Sequence, residues 1–138
     1  MARRLILDTG ALIAFERGTL DRAALADDDL AVAAVTIAEF RTGVELADSP
    51  ARAASRRAVL DAVTATIPVL DYTEATAALH GRLLAHTRRT GRRRRAHDLI
   101  IAATAVEHDR TVLSTDARAR FGELPAVRYL AAADAAAR

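Results

Sequence analysis

Short apolar runs alternate with longer segments of helical periodicity along almost the whole chain. Five strands are predicted from the apolar runs, at residues 5–7, 30–35, 67–70, 111–114 and 127–130. Helices are predicted between them, at residues 11–17, 21–28, 36–47, 50–64, 73–89 and 97–108. Strands that are separated by helices form parallel sheets with right-handed crossovers. The alternation therefore predicts an α/β fold.

The length of 138 residues corresponds to one domain with a substantial core. We expect this domain to span residues 1–130, and the Ala-rich tail at 131–138 to be a frayed helix or disordered. No run of 18 uncharged apolar residues is present, and no signal-peptide core precedes the first strand. We therefore expect a cytoplasmic protein that does not use a membrane.

The composition excludes several kinds of chemistry. The chain has no Cys, which rules out thiol nucleophiles and disulfide scaffolds. All 20 basic residues are Arg, so a Walker-type phosphate site and a Schiff-base mechanism both lack the Lys they require. Aromatic residues make up only 4%, which disfavours an aromatic platform for stacking nucleic-acid bases.

Acidic residues follow several of the predicted strands. Asp8 comes directly after the first strand, Glu39 after the second and Asp116 after the fourth, while Asp98 begins the helix that leads into the fourth strand. The carboxyl ends of parallel strands lie at one edge of the sheet, and so does the start of a crossover helix. We therefore expect these four carboxylates to lie close together.

Each acid also has a purely structural interpretation. Asp8 is typical of an Asx-turn, Glu39 of a capping box with Thr36, and both Asp98 and Asp116 of helix N-caps. Four carboxylates in one place, however, repel each other by roughly 4 kcal/mol per pair at about 4 Å and an effective dielectric constant near 20. A divalent cation offsets this repulsion, and ligands that are all oxygen favour Mg²⁺ or Mn²⁺.

Four segments resemble those of a known family in order and spacing. Each contains one of the acids, and the segments lie at residues 5–14, 36–43, 97–105 and 113–121. On this basis the chain resembles the PIN-domain ribonucleases and, among them, the VapC toxins of bacterial toxin–antitoxin pairs.

The resemblance implies a three-layer α/β/α domain with a five-stranded parallel sheet in the order 3-2-1-4-5. The first strand would then lie between the second and the fourth, which brings Asp8, Glu39 and Asp116 together. The third strand would lie at the edge, and Asp71, which also follows a strand, would be away from the centre. Strand position alone does not decide whether Asp71 contributes to the site.

The same resemblance implies a metal-dependent endoribonuclease. The cofactor would be Mg²⁺, with Mn²⁺ as a substitute, held by Asp8, Asp98 and Asp116, with Glu39 binding directly or through water. The ion would activate water for attack on an RNA phosphodiester, leaving 5′-phosphate and 3′-hydroxyl ends. The partners implied are a cognate VapB-like antitoxin, encoded alongside, and a second copy of the chain in a homodimer.

Supporting roles are expected for hydroxyl and basic side chains near the acids. Thr9 and Thr115 are candidates for orienting the carboxylates or a water molecule. A run of basic residues precedes Asp98, and its candidates for binding RNA are Arg92, Arg93, Arg94 and Arg95. The alternative is a solvated loop in a chain that uses Arg as its only basic residue.

Other functions remain open at this level. The triplet at residues 8–10 matches the aspartic-protease signature, but those enzymes are all-β and this segment runs into a predicted helix. Receiver domains would need a Lys, and haloacid-dehalogenase phosphatases would need an Asp in place of Gly10. A non-catalytic PIN-like module that only binds protein is the remaining alternative. The sequence does not choose between transfer, ribosomal and messenger RNA as the substrate.

Overall fold

The computed structural model describes residues 2–137, in which five parallel strands form one sheet in the order β3-β2-β1-β4-β5. The strands are β1 Arg4–Leu7, β2 Asp29–Ala33, β3 Val69–Leu70, β4 Thr111–Ser114 and β5 Tyr129–Ala131. The helices are α1 Thr9–Arg17, α2 Ala34–Glu45, α3 Pro50–Thr66, α4 Glu74–Thr90 and α5 Ala96–Glu107. The predicted α/β class and strand order are confirmed.

Helices cover both faces of the sheet, because the central strands are apolar on both sides. Leu5 and Leu7 of β1 face a core that contains Leu12 of α1 and Val63 of α3. Ile6, between them in sequence, faces a second core formed with α4 and α5. This alternation along one strand follows from the two-residue repeat of β-structure. It produces the three layers, in which Leu5, Ile6 and Leu7 of β1 are fully buried.

The start of α1 is determined by the residue that ends β1. The Asp8 side chain accepts a hydrogen bond from the backbone N–H of Ala11 and so caps the helix. Gly18 ends the helix in the left-handed conformation, with a φ of 74°. The strand therefore passes into the helix without a loop, and Asp8 lies at the carboxyl end of the sheet.

Two segments differ from the sequence predictions. The helix predicted at residues 21–28 is only a short 3₁₀ turn at Ala23–Leu25, because Asp21 accepts hydrogen bonds from the backbone N–H groups of Ala23 and Ala24 and favours a turn. The last strand begins two residues later and ends one residue later than predicted, so the expected domain boundary at residue 130 falls inside β5.

The part of the Ala-rich tail that the structure describes follows β5 as a 3₁₀ turn at Ala132–Asp134. Ala135 is buried, and its carbonyl accepts a hydrogen bond from Arg3. Met1 and Arg138 lie outside the described residues. Within residues 2–137, no helix has the length and apolarity needed to cross a membrane.

Candidate functional site

The four predicted acids lie at the carboxyl end of the sheet, near enough for their charges to interact. Burial and the nearby carboxylates of Asp8, Glu39 and Asp116 together raise the pKa of Asp98 to about 6, against the opposing effect of Arg95. These residues come from the ends of β1 and β4 and from the helices α2 and α5. The strand order, with β1 between β2 and β4, is what makes them neighbours.

Asp8 is the most deeply buried of the four acids, with 5% of its surface exposed. Its Oδ1 accepts a hydrogen bond from the N–H of Ala11 at 2.8 Å, and its Oδ2 accepts one from the hydroxyl of Ser114. Burial raises the pKa of Asp8, and so do Asp116 and Glu39, although the two hydrogen bonds act in the opposite direction. Asp8 therefore caps a helix and also belongs to the acid cluster.

Glu39 does not form a capping box, since α2 begins at Ala34 and no side chain caps it. Instead, Glu39 Oε1 accepts a hydrogen bond from the Thr9 hydroxyl at 2.7 Å. The same oxygen lies 3.4 Å from His97 Nδ1. The carboxylate is thus held toward β1 by contacts from α1 and α5.

Asp98 and Asp116 differ in how their carboxylates are bonded. Asp116 caps a short 3₁₀ turn, where its Oδ1 accepts a hydrogen bond from the N–H of Arg118 at 2.9 Å. Asp98 is the third residue of α5, whose N-cap is Arg95, so it does not cap that helix. No hydrogen bond from the described residues stabilises the Asp98 carboxylate. Asp98 is therefore the acid with the least local compensation.

The donor chemistry of this cluster suits a hard divalent cation. All four groups supply carboxylate oxygens, and burial together with their mutual repulsion raises the pKa of Asp8 and Asp98, which a bound cation would reverse. In the described part of the chain, no three acidic or histidine side chains are placed closely enough to hold an ion. Asp8 and Glu39 instead point toward their hydroxyl donors Ser114 and Thr9.

The predicted RNA-binding arginines line a cleft of about 380 Å³ beside this cluster. Two of the acids also line it, as do two arginines that follow β4; the lining comprises Arg92, Arg93, Arg94, Arg95, Asp98, Asp116, Arg118, Ala119 and Arg120. Asp71, by contrast, is exposed and follows β3 at the edge of the sheet, two strands away from β1.

Comparison with known proteins gives the family. A family model described as the PIN domain matches residues 5–126. Ribonuclease VapC5 of Mycobacterium tuberculosis is 38% identical over 111 residues, which cover 80% of this chain and 82% of that protein. The chain is a PIN-domain protein of the VapC family. This confirms the family that the four sequence segments indicated.

Solved structures agree with this assignment. The VapBC-5 toxin–antitoxin structure from Mycobacterium tuberculosis matches the PIN domain with a TM-score of 0.77 and 33% identity, covering 93% of this chain and 98% of that one. The DNA-bound VapBC structure from Salmonella typhimurium matches with a TM-score of 0.84 over 96% of this chain and 99% of that one. Its identity is 22%, so this second likeness concerns the fold alone.

Sequence reasoning overlooked Ser114 as a partner of Asp8 in the PIN domain. Ser114 is the last residue of β4, immediately before Thr115, which we had considered instead. The Thr115 hydroxyl lies against Gly10, where an added Cβ would come within 2.6 Å of it. A polar residue at the end of a buried strand, beside the acid-bearing strand, was the signal available for Ser114.

Thr36 is a second residue without an assigned role. It lies one turn before Glu39 on α2 and is fully buried. Its hydroxyl oxygen has no hydrogen-bond partner within residues 2–137. Nothing in the sequence distinguished this hydroxyl from an ordinary helix cap, which is how it was interpreted.

Proposed function

We propose that this PIN domain is the toxin of a toxin–antitoxin pair and acts as a metal-dependent endoribonuclease that inhibits translation and growth. The observation that carries the proposal is that three carboxylates from separate segments, those of Asp8, Glu39 and Asp116, lie near enough to Asp98 at the carboxyl end of the sheet to raise its pKa. The 38% identity to a protein named as a ribonuclease supports RNA as the substrate. We expect 5′-phosphate and 3′-hydroxyl products, and we expect the protein to act in the cytoplasm.

The ion would be Mg²⁺, with Mn²⁺ as a substitute, held by Asp8, Asp98 and Asp116 with Glu39. When bound, such an ion lowers the pKa of water and polarises a phosphate group. The residues of this chain prepare the carboxylates for it: Ser114 and the N–H of Ala11 hold Asp8. Asp98 accepts no hydrogen bond from the described residues, so its carboxylate can bind a cation without breaking one.

Two threonines have supporting positions in this proposal. Thr9 orients Glu39 through a hydrogen bond of 2.7 Å. The Thr115 hydroxyl lies next to Gly10, and Thr115 directly precedes Asp116 in the sequence. We propose that their hydroxyls position carboxylates or water rather than take part in bond breaking.

The expected partners are an RNA substrate, a VapB-like antitoxin and a second copy of the chain. The solved relatives are described as VapBC complexes, which supports an antitoxin for this chain as well. An apolar groove walled by Ile13, Phe40 and Val59 opens beside Thr9 and Glu39, so a protein bound there would lie next to the acids. The choice between transfer, ribosomal and messenger RNA stays open.

Calorimetry with Mn²⁺ separates the enzyme from a non-catalytic binding module. We expect millimolar or tighter binding that is lost in Asp8→Asn and Asp98→Asn but kept in Asp71→Asn, a matched control at the sheet edge. RNA cleavage should fall by at least about 10³-fold in the first two variants, because the ion-binding set is broken. Cleavage that survives in both would contradict the proposal, and absence of metal binding by the parent would favour the module.

Expression of the chain without its partner then identifies the substrate. We expect growth arrest together with new RNA ends that carry a 5′-phosphate, which sequencing of ligated 5′ ends would map. The Asp98→Asn variant should produce neither effect. New ends that appear equally with the variant would assign the cleavage to other nucleases.

A further inference from the structure

The cleft beside Asp98 and Asp116 is lined by arginines from two separate segments. One segment, at residues 92–95, leads into α5, and the other, at residues 118–120, follows β4. Six guanidinium groups therefore surround a space that is continuous with the candidate active site. No aromatic side chain lines the cleft, so it offers charge and hydrogen-bond donors but no surface for stacking bases.

Arg94 differs from the other arginines of the cleft because its guanidinium is already bonded to the backbone. Its side chain is 7% exposed. Its Nη1 donates to the carbonyl of Ala119 at 2.6 Å and to that of Arg120 at 2.8 Å. Arg94 would lose both hydrogen bonds if it turned toward a ligand, and hydrogen bonds from a charged donor are stronger than neutral ones. Arg94 therefore joins the two segments.

The segment that Arg94 holds has little regular structure of its own. It consists of 3₁₀ turns at Ala117–Ala119 and Phe121–Glu123, joined at Arg120 in the left-handed region with a φ of 50°. Such short turns have poor hydrogen-bond geometry, and a non-glycine residue at this φ is strained. The shape of the segment therefore depends on contacts with the rest of the protein. Among these are the two hydrogen bonds from Arg94 to carbonyls in the middle of the segment.

Glu123 gathers three of the arginines around one carboxylate. Its oxygens lie 3.3 Å from Arg92, 3.6 Å from Arg94 and 3.9 Å from Arg120. The pairs with Arg92 and Arg120 are solvent-exposed, and exposed pairs of this kind are weak. An incoming phosphate can therefore replace Glu123 at these two side chains.

The remaining arginines of the cleft are less engaged. Arg118 is 97% exposed and its Nε lies 3.8 Å from an oxygen of Asp116. Arg93 and Arg95 line the cleft without forming an ion pair within the described residues. These three guanidinium groups can therefore meet an anion without first breaking a strong contact.

We propose that this cleft binds RNA backbone phosphates next to the scissile bond, with Arg92, Arg93, Arg95, Arg118 and Arg120 as contacts and Arg94 as a positioning residue. The inference rests on the proposed ribonuclease function. Guanidinium groups bind phosphate through paired hydrogen bonds, and contacts to the backbone position a nucleic acid without reading its sequence. Arg118 and Arg120 are thus further contacts to the substrate. Arg94 acts indirectly, because it holds the segment that contains Arg118 and Arg120.

The salt dependence of RNA binding tests the contacts. Binding of a fluorescent single-stranded RNA is measured in EDTA, which removes the divalent ions that the proposed cleavage needs. Arg118→Gln and Arg95→Gln should each weaken binding and lower the slope of log Kd against log salt by about 0.7, the value for one phosphate contact on a single strand. Arg57→Gln, an exposed arginine on α3, removes the same charge outside the cleft and should leave the slope unchanged. Equal slopes for all three variants and the parent would refute the proposal that the cleft binds RNA phosphates.

A double-mutant cycle tests the positioning role of Arg94. Because Arg94→Met releases the segment 117–123, the slope change caused by Arg118→Gln should shrink in that background and return with Arg94→Lys. Fully additive effects would show that Arg94 is only another contact. If Arg94→Met does not fold, Arg94→Gln, which keeps a donor but is too short to bond both carbonyls, replaces it in the cycle, and the surface variants still test the cleft. Cleft-dependent binding without any cleavage in Mg²⁺ would count against the proposed function alone.

Discussion

Aspartates lie at both ends of the parallel sheet, but their neighbours differ. At the amino end, Asp28 is paired with Arg3 at 2.7 Å, and Asp29 lies 3.1 Å from Arg110. At the carboxyl end, Asp8 and Asp98 form no ion pair with a basic side chain among the described residues, and burial together with the neighbouring carboxylates raises the pKa of both. The first end is stabilised by ion pairs within the protein, whereas the carboxylates of Asp8 and Asp98 at the second have no such partner in the described part of the chain.

This difference indicates which acids belong to the framework and which to the chemistry. An aspartate that is paired with arginine stabilises the fold, so its replacement lowers the free energy of unfolding. An aspartate among other carboxylates lowers stability in the free protein, and that lost stability is recovered when an ion binds. Three predictions test the contrast, beginning with the largest expected effect on the free energies involved.

The first concerns the buried pair at the amino end. Asp28→Asn should lower the free energy of unfolding by about 3 kcal/mol, since the Asp28 side chain is 0% exposed and the change leaves Arg3 with carbonyl acceptors but no carboxylate. Urea denaturation measures this change. RNA cleavage per folded molecule should remain that of the parent. If the variant kept full stability, or folded but no longer cleaved RNA, the two ends of the sheet would not differ in this way.

The second concerns the pH dependence of the metal-free protein. The folded pKa of Asp98, about 6, lies above its ordinary value of 3.8, so the folded state binds more protons than the unfolded state between these pH values. The contribution of Asp98 to stability therefore falls as the pH rises from about 4 to about 6. Asp98→Asn lacks this loss and should be more stable than the parent at pH 7 by about 1–2 kcal/mol, allowing for partial contact with solvent.

Urea unfolding in EDTA at several pH values measures the difference between parent and Asp98→Asn. The two proteins should be equally stable near pH 4 and diverge above it. Saturating Mn²⁺ should reverse the order at pH 7, because only the parent retains the complete set of ligands. A difference that stays constant across this range would mean that Asp98 is not destabilised by its neighbours.

The third and smallest effect concerns the hydroxyl that holds Glu39. Thr9→Val keeps the side-chain shape but removes the 2.7 Å hydrogen bond to Glu39, and we expect cleavage to slow by about 10-fold with little change in stability. Thr42→Val is the control, because that exposed hydroxyl on α2 donates only to the carbonyl of Ala38. Equal rates for both variants and the parent would show that Glu39 needs no support from Thr9.

The fold was predictable from the sequence because hydrophobic periodicity is a local property. The runs around Leu5 and Val112 are apolar on both faces, which a central parallel strand requires. The helix predicted at 21–28 was wrong because Asp21 stabilises a turn there instead. In the same way, the capping box suggested by Thr36 and Glu39 is absent because α2 begins two residues earlier.

The sequence by itself determined where the strands end and that acidic residues follow them, since both depend on neighbours in the chain. Only the tertiary structure decided which partner each acid received. Ser114 reaches Asp8 across 106 residues, and Arg3 reaches Asp28 across 25. Such contacts depend on strand order and on side-chain direction, and no local pattern encodes them. The packed sheet therefore determines which aspartates are paired with arginine and which are gathered with other carboxylates.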